Sequence, residues 1–537
     1  MATVVKPPCD HGVISSAPAV AGCAESTGRW VLAATIIGSS MVFIDGSVVN
    51  VALPVLQKEM NATIADAQWI VEAYALLLAG LILVGGSLGD HFGRKRIFGY
   101  GVWIFAAGSL WCALSANVAH LILARAVQGV GGALLVPGSL AIISASFSPA
   151  KRGRAIGTWS GFLSISSSLG PLLGGWLVQH LSWRWAFLIN LPLAAAVLVI
   201  VYLRVPESRD EELSQGAARR LDFPGAALAT LGLGAAVYGL ITAGSLGLGR
   251  PEVAAPLALS VLFLGAFVAV EARSPAPMLP LQLFRSRDFA GANILTFCLY
   301  AALSVVLFYL PFNLIQVQGY GATAAGAALL PFILIMFALS RWSGGLVNRY
   351  GARLPLVAGP IVAAVGLALF ARSGIGGSYW TTFFPASVIL GIGMAVSVAP
   401  LTTTVMDAAP THFAGIASAV NNAVSRTAAL VSIAVLSLFM QYAFNRNLDQ
   451  RAQLIDLPAE ARNNLDGQRT RLAEAMPPAG LGPETTAAVK RAVAESYVAG
   501  FRVVALIGAG LALAGALSAA LSIGGGRPIK KEAIGAA

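Results

Sequence analysis

The sequence predicts an all-α polytopic membrane protein whose fourteen spans form two six-helix bundles plus two inserted helices. Three observations predict it: an apolar composition, span-length apolar windows repeated along the chain, and basic residues gathered in alternate loops. Of 537 residues, 57% are hydrophobic and 11% charged, and the mean hydropathy is +0.76. A water-soluble domain keeps about a quarter of its residues charged. A hydrocarbon core about 30 Å thick needs about 20 mostly apolar residues per helical crossing. Burial is therefore expected against lipid and between helices.

Apolar runs between charged or Gly/Pro-rich breaks place helices near 30–52, 68–89, 97–115, 119–146, 154–178 and 184–203. A second series follows near 222–243, 252–271, 290–312, 322–346, 354–371, 379–405, 414–440 and 498–522. Five alternate loops hold Arg94, Lys95, Arg96; Lys151, Arg152, Arg154; Arg204, Arg209, Arg219, Arg220; Arg273, Arg285, Arg287; and Arg349, Arg353. The short loops of the other face hold only Lys58, Arg184, Arg250 and Arg372. Positive loops stay cytoplasmic, so both termini are expected inside. The same distribution accounts for the net charge of +11 and argues against a nucleic-acid partner.

The expected domains are a disordered cytoplasmic tail 1–28, a first bundle 29–205, a linker with the two extra spans 206–289, a second bundle 290–522 containing an external loop 441–497, and a cytoplasmic tail 523–537. The external loop reads as an amphipathic helical cap, and whether a periplasmic adaptor uses it is left open. An internal repeat supports the division. Gly86-Ser-Leu-Gly-Asp-His-Phe-Gly-Arg94 returns in degenerate form as Gly344-Gly-Leu-Val-Asn-Arg-Tyr-Gly-Ala352, each at the cytoplasmic end of a bundle's second helix. Parallel half-repeats are a common plan among secondary transporters.

Four motifs carry a resemblance. The first is the loop 86–96, GSLGDHFGRKR, where Asp90 and the Arg94-Lys95-Arg96 cluster can make charge-assisted hydrogen bonds while Gly86 and Gly93 permit close packing and a tight turn. The second is Leu121, Arg125, Gln128, Gly129 and Gly131 in the fourth span. The third is Gly157, Gly161, Gly170, Pro171, Gly174 and Gly175 in the fifth, small residues that let helices approach, with a proline that bends the helix. The fourth is Asp45-Gly-Ser-Val-Val-Asn-Val-Ala-Leu-Pro54 in the first. Over residues 30–522 the chain resembles the major facilitator superfamily, and within it the fourteen-helix drug:proton antiporters of the EmrB/QacA type. The resemblance implies a multidrug exporter of the bacterial inner membrane that moves hydrophobic or cationic compounds against protons. It further implies a gating latch in 86–96, a proton-linked arginine at 125, and an anti-leak hinge in the fifth span that tilts direction toward export.

Counting from the helix ends puts Asp45, Glu72 and Arg125 each about 10 Å below the outer surface, so the three are expected to share one layer. Ionisable groups at that depth are costly and face a partner or a wet cavity. Two neighbouring carboxylates resist simultaneous ionisation, so Asp45 or Glu72 is expected to carry a proton that a cationic substrate displaces, with Arg125 modulating. Candidate substrate contacts are Phe43, Tyr74, Trp159, Phe162, Tyr300 and Phe308, whose rings suit flat cations, together with Asn421, Asn422 and Arg426 of the thirteenth span.

No lysine follows a glycine, so a phosphate-binding loop of the usual form is absent. His11, His91, His120, His180 and His412 are scattered without metal or triad spacing. Neither an enzyme nor a metal or other cofactor is expected. Cys9, Cys23, Cys112 and Cys298 read as free thiols. Export of a metabolite such as an amino acid, siderophore or lipid-like compound, or uniport without protons, remains the alternative.

Overall fold

A computed structural model describes residues 25–524 except 148, 209–221, 248, 275–276, 344, 410–413 and 479. Every regular element among the described residues is a helix. The long ones are α1 (Glu25–Glu59), α2 (Ile64–Phe92), α3 (Arg94–Ala113), α4 (Val118–Ser146), α5 (Pro149–His180), α6 (Asn190–Arg204), α7 (Phe223–Leu246), α8 (Pro251–Arg273), α9 (Arg287–Phe312), α10 (Leu330–Ser343), α11 (Arg353–Phe370), α12 (Tyr379–Asp407), α13 (Ala414–Ala452) and α14 (Pro483–Ser522). Among the described residues, 13 stretches are long and apolar enough to cross a membrane. The predicted span outside that set is α3, whose 20 residues give a length of about 30 Å. Its Arg94-Lys95-Arg96 start and its Gly, Tyr and Trp content dilute its hydropathy.

The chain divides into two compact units. The first takes in the described residues up to Met278, together with Pro311–Ala327 and Ile455–Val493; the second comprises Leu279–Leu310, Ala328–Leu454 and the described residues from Ala494 onward. In the first unit α4 packs between α2 and α3, α1 lies against α5 and α6, and α7 pairs with α8 while resting on α2. Apolar burial between helices has little driving force in lipid, so close approach of small residues holds such a bundle. A side chain at Gly129 would overlap the backbone of α2 at Tyr74, and one at Gly131 the backbone of α3 at Phe105.

The second unit repeats the plan. Helix α12 packs against both α10 and α11, with Gly391 meeting Phe332 of α10 and Gly393 meeting Ala363 of α11. Gly129 and Gly131 thus have structural counterparts two residues apart in α12. The loop repeat is also visible: the first copy breaks at Gly93 (φ +104) and the second at Gly351 (φ +76), both in the region that favours glycine.

Several expectations change. The predicted span 322–346 is interrupted as Ala322–Ala327, Leu330–Ser343 and a further short helix Leu346–Tyr350. Pro331 cannot donate a backbone hydrogen bond, and Ala322–Ala327 packs on α5 within the first unit. Helices α13 and α14 run 39 and 40 residues, about 60 Å each at 1.5 Å per residue, so they extend well past a bilayer into the predicted loop 441–497. Arg451 and Glu495 form an ion pair between these extensions. The loop had been assigned to the second bundle. Its residues Ile455–Val493 instead belong to the first unit, where Leu465 and Leu472 are buried and Gln57 Nε2 donates to the Arg471 carbonyl at 3.2 Å. The two inserted helices, expected in a separate linker, also fall in the first unit. Most of the expected tails, namely residues 1–24 and 525–537, lies outside the described residues.

A buried ion-pair network as candidate functional site

Helix α4 starts behind Asn117, whose side chain accepts from His120 N at 3.0 Å, and two turns later carries Arg125 inward. Its side chain is 1% exposed. The Nη1 group donates to Asp45 Oδ2 of α1 and to Gln128 Oε1 at 2.8 Å, while Nε donates to the Ile70 carbonyl of α2 at 3.0 Å. Its guanidinium lies 4.2 Å from the centroid of the Tyr74 ring, a cation–π placement.

Asp45 is equally enclosed, at 0% exposure. Its Oδ1 accepts from Gln128 Nε2 at 3.1 Å and from Asn190 Nδ2 of α6 at 3.2 Å. Ser109 Oγ of α3 receives both Gln128 Nε2 at 2.7 Å and Asn190 Nδ2 at 3.2 Å. The Cys112 thiol donates to Gln128 Oε1 at 3.2 Å. Five helices, α1, α2, α3, α4 and α6, thus contribute to one dry polar cluster. A buried charge pair persists only when its remaining donors and acceptors are met, and here nearly all are; Asn190 Oδ1 alone in this cluster lacks a partner.

Of the three residues expected to share one layer, the structure joins Asp45 and Arg125, and Glu72 does not meet them. Glu72 is fully buried, and neither carboxyl oxygen has a hydrogen-bond partner among the described residues. Equal depth did not mean equal azimuth. Asn190, Ser109 and Cys112 escaped the sequence reading, although an asparagine inside an otherwise apolar span was a usable signal.

Tyr74 is a wall of this cluster, its hydroxyl donating to the Val42 carbonyl at 3.5 Å. Trp159 of α5 donates to Ser39 Oγ at 3.2 Å, and Phe43 packs on the same core. Phe162 is half exposed. In the second unit, Phe308 stands edge-on to Tyr309 and is buried. Asn421 donates to Asn293 Oδ1 at 3.2 Å and Thr296 Oγ1 at 2.6 Å. Asn422 accepts from Ser425 Oγ through its carbonyl, and Arg426 stands near the Tyr300 phenol.

The predicted loop latch is held from a residue the sequence reading passed over. Glu207, just beyond α6, accepts from Lys95 N at 3.0 Å, and the Ser208 carbonyl accepts from Arg94 N at 2.8 Å. These satisfy two free N–H groups at the start of α3 and set an anion at the positive end of its dipole. Gly86 packs on Pro137, and a side chain at Gly93 would strike the Glu207 carboxylate. Lys95 Nζ donates to the Tyr202 carbonyl at 3.4 Å. The side chain of Asp90 lies outside the described residues, and Arg96 is exposed.

The antiporter-motif glycines separate into two sets. Gly170 faces Ser47 and Gly174 faces Val48, both on α1, while Gly175 abuts the Ala322 carbonyl. Gly326 in turn abuts the Pro171 carbonyl. A side chain at Gly157 or Gly161 would meet nothing within 4 Å.

A family model described as Major Facilitator Superfamily matches residues 35–433. The chain belongs to the major facilitator superfamily. It is 32% identical over 492 residues to the tetracenomycin C resistance and export protein of Streptomyces glaucescens, covering 90% of each chain. To the multidrug resistance protein Stp of Mycobacterium tuberculosis it is 36% identical over 413 residues, covering 75% of this chain and 74% of that one. To the methylenomycin A resistance protein of Bacillus subtilis it is 33% identical, covering 78% and 88%. Among solved structures, a bacterial homologue of the lysosomal transporter Spinster, in an inward-facing unoccupied conformation, aligns with a TM-score of 0.60 at 18% identity, covering 92% of this chain and 98% of that one. This major facilitator protein is thus a multi-pass membrane protein whose relatives are resistance and export proteins. Its ion-pair cluster sits on five of the six helices of the first half-repeat.

Proposed function

We propose that the chain is a proton-coupled exporter of hydrophobic or cationic drugs and toxicants, working by alternating access in a bacterial inner membrane with both termini cytoplasmic. The observation that carries this reading is the Asp45–Arg125 ion pair, sealed among five helices of a major facilitator bundle. A charge pair at that depth is expensive to build and is expected to serve translocation. When a proton neutralises Asp45, its hold on Arg125 weakens and Gln128 and Asn190 lose a charged acceptor, so the set of helices it ties can rearrange. Proton binding and helix packing are coupled through one atom pair. The names of the relatives, which include tetracenomycin C, puromycin and lincomycin resistance, support antibiotic cargo. The loop 86–96, braced by Glu207, would act as the latch, and Gly170, Gly174 and Gly175 as the tight seam of α5.

The test is acidification in everted vesicles energised with an imposed proton gradient. Drug addition should release protons from wild type, and Asp45→Asn should abolish the release. If Asp45→Asn leaves proton-driven efflux intact, the coupling assignment is wrong.

A further inference from the structure

Glu72 is a fully buried acid without a hydrogen-bond partner among the described residues, and it lies outside the hydrogen bonds of the ion-pair cluster. It lies 8 residues beyond Ile64, about 12 Å along α2. The face of α2 turned to α4 is marked by Ile70, whose carbonyl takes Arg125 Nε, and by Tyr74, Leu77 and Leu78, which meet Gly129 and Gly132. The face turned to the first inserted helix is marked by Trp69, Leu76 and Gly80. Trp69 and Tyr238 of α7 have ring centroids 6.2 Å apart; Leu76 would touch a side chain at Gly234 at 3.2 Å, and Gly80 abuts Thr230. At 3.6 residues per turn, position 72 falls about 60° from the middle of the α7 face and opposite the α4 face. Glu72 therefore points away from α4, on the flank of α2 nearer α7.

A carboxylate in a dry site with neither donor nor counter-ion is costly, and a cation at its side removes that cost. Its helical neighbour one turn back is Trp69, in ring contact with Tyr238. Aromatic faces attract cations, most strongly where water is excluded. Tyr238 is 48% exposed on a helix that in this apolar chain borders lipid, which leaves the place open sideways. A small hydrated ion would lose its water there; an organic cation whose charge is spread and shielded by apolar groups would not.

We propose that α2 and the inserted helix α7 form a second binding site, open laterally to the bilayer, that takes a lipophilic organic cation, with Glu72 as its charge and Trp69 and Tyr238 as its aromatic walls. The site is distinct from the Asp45–Arg125 cluster and gives the inserted helices a role in cargo capture. Its significance for efflux rests on the exporter reading, but binding does not.

The experiment is equilibrium binding of tetraphenylphosphonium, with neutral triphenylphosphine oxide as the comparison, to the full chain in nanodiscs. Glu72→Gln should weaken the cation by about tenfold or more and leave the neutral compound unchanged; Tyr238→Ala should weaken the cation several-fold, as loss of a desolvated cation–π contact implies. Gly157→Ala, where the added methyl meets open space, should stay within about twofold. Tyr238→Ala removes a half-exposed ring and serves should Glu72→Gln fail to fold. Unchanged cation binding in Glu72→Gln or Tyr238→Ala, or an equal loss in Gly157→Ala, overturns the site. Failure of the exporter reading shows differently: cation binding persists as described while no variant or wild type moves protons on drug addition.

Discussion

Arg125 of α4 and Asp45 of α1 are ion-paired across 80 residues of chain, both sealed from solvent, with the guanidinium lying over the Tyr74 ring. The pair ties the fourth helix of the bundle to the first, and removing either partner leaves the other buried and uncompensated.

Asp45→Asn leaves a buried guanidinium with no carboxylate, which costs about 3–5 kcal/mol. Arg125→Gln leaves the reverse. Each single variant should show a marked drop in melting temperature in detergent, and the double variant should lose clearly less than the sum of the two. Transport should vanish in all three. A double variant whose loss equals the sum would mean the pair is not energetically coupled.

The α5 glycines should separate on substitution. Gly175→Ala drives a methyl into the Ala322 carbonyl and Gly174→Ala crowds Val48; overpacking of this kind costs about 1–3 kcal/mol. Gly157→Ala and Gly161→Ala meet open space and should keep near-normal efflux and melting temperature. Drug-resistance levels of the four variants, at matched expression, check the ordering.

Gly93→Ala faces two obstacles, a φ of +104 and the Glu207 carboxylate at 2.8 Å from the new methyl. Strained backbone of this sort costs about 1–3 kcal/mol. Glu207→Ala should instead leave the fold in place and free the Lys95 amide, seen as faster hydrogen exchange at 94–96 with no change at α4.

In the first unit, burial raises the Glu474 carboxyl above the ordinary glutamate value, and Lys58 and Arg471 oppose the rise. A carboxyl raised in the folded state holds its proton more tightly there than in the unfolded chain. Docking of segment 459–474 should accordingly be strongest below the ordinary glutamate range and weaken as pH climbs through the raised value. Hydrogen exchange at Leu472, followed from pH 4 to 7, should speed up beyond its intrinsic pH dependence, and Glu474→Gln should remove that excess.

Much of the protein was legible because it is one-dimensional information. Span length follows from lipid thickness, and the second half-repeat from the returning loop motif, which the structure reproduces down to the breaks at Gly93 and Gly351. Arg125 and Asp45 were found because an ionisable residue at bilayer depth needs a reason to be there. Ser109 and Cys112 were not, because small polar residues also occur in spans as simple packing. Chain order places the segment 441–497 between the apolar parts of α13 and α14, whereas its long-range contacts, such as Gln57 to the Arg471 carbonyl, group Ile455–Val493 with the first unit.

Span-length apolar windows and short motifs are written along the chain, so the sequence alone pointed to the fold class and the superfamily. Rotation about the helix axis depends on which neighbours each face meets. Only the tertiary structure therefore turned Asp45 toward Arg125, Gln128 and Asn190, left Glu72 out of that cluster, and chose Gly170, Gly174 and Gly175 as the residues of close approach.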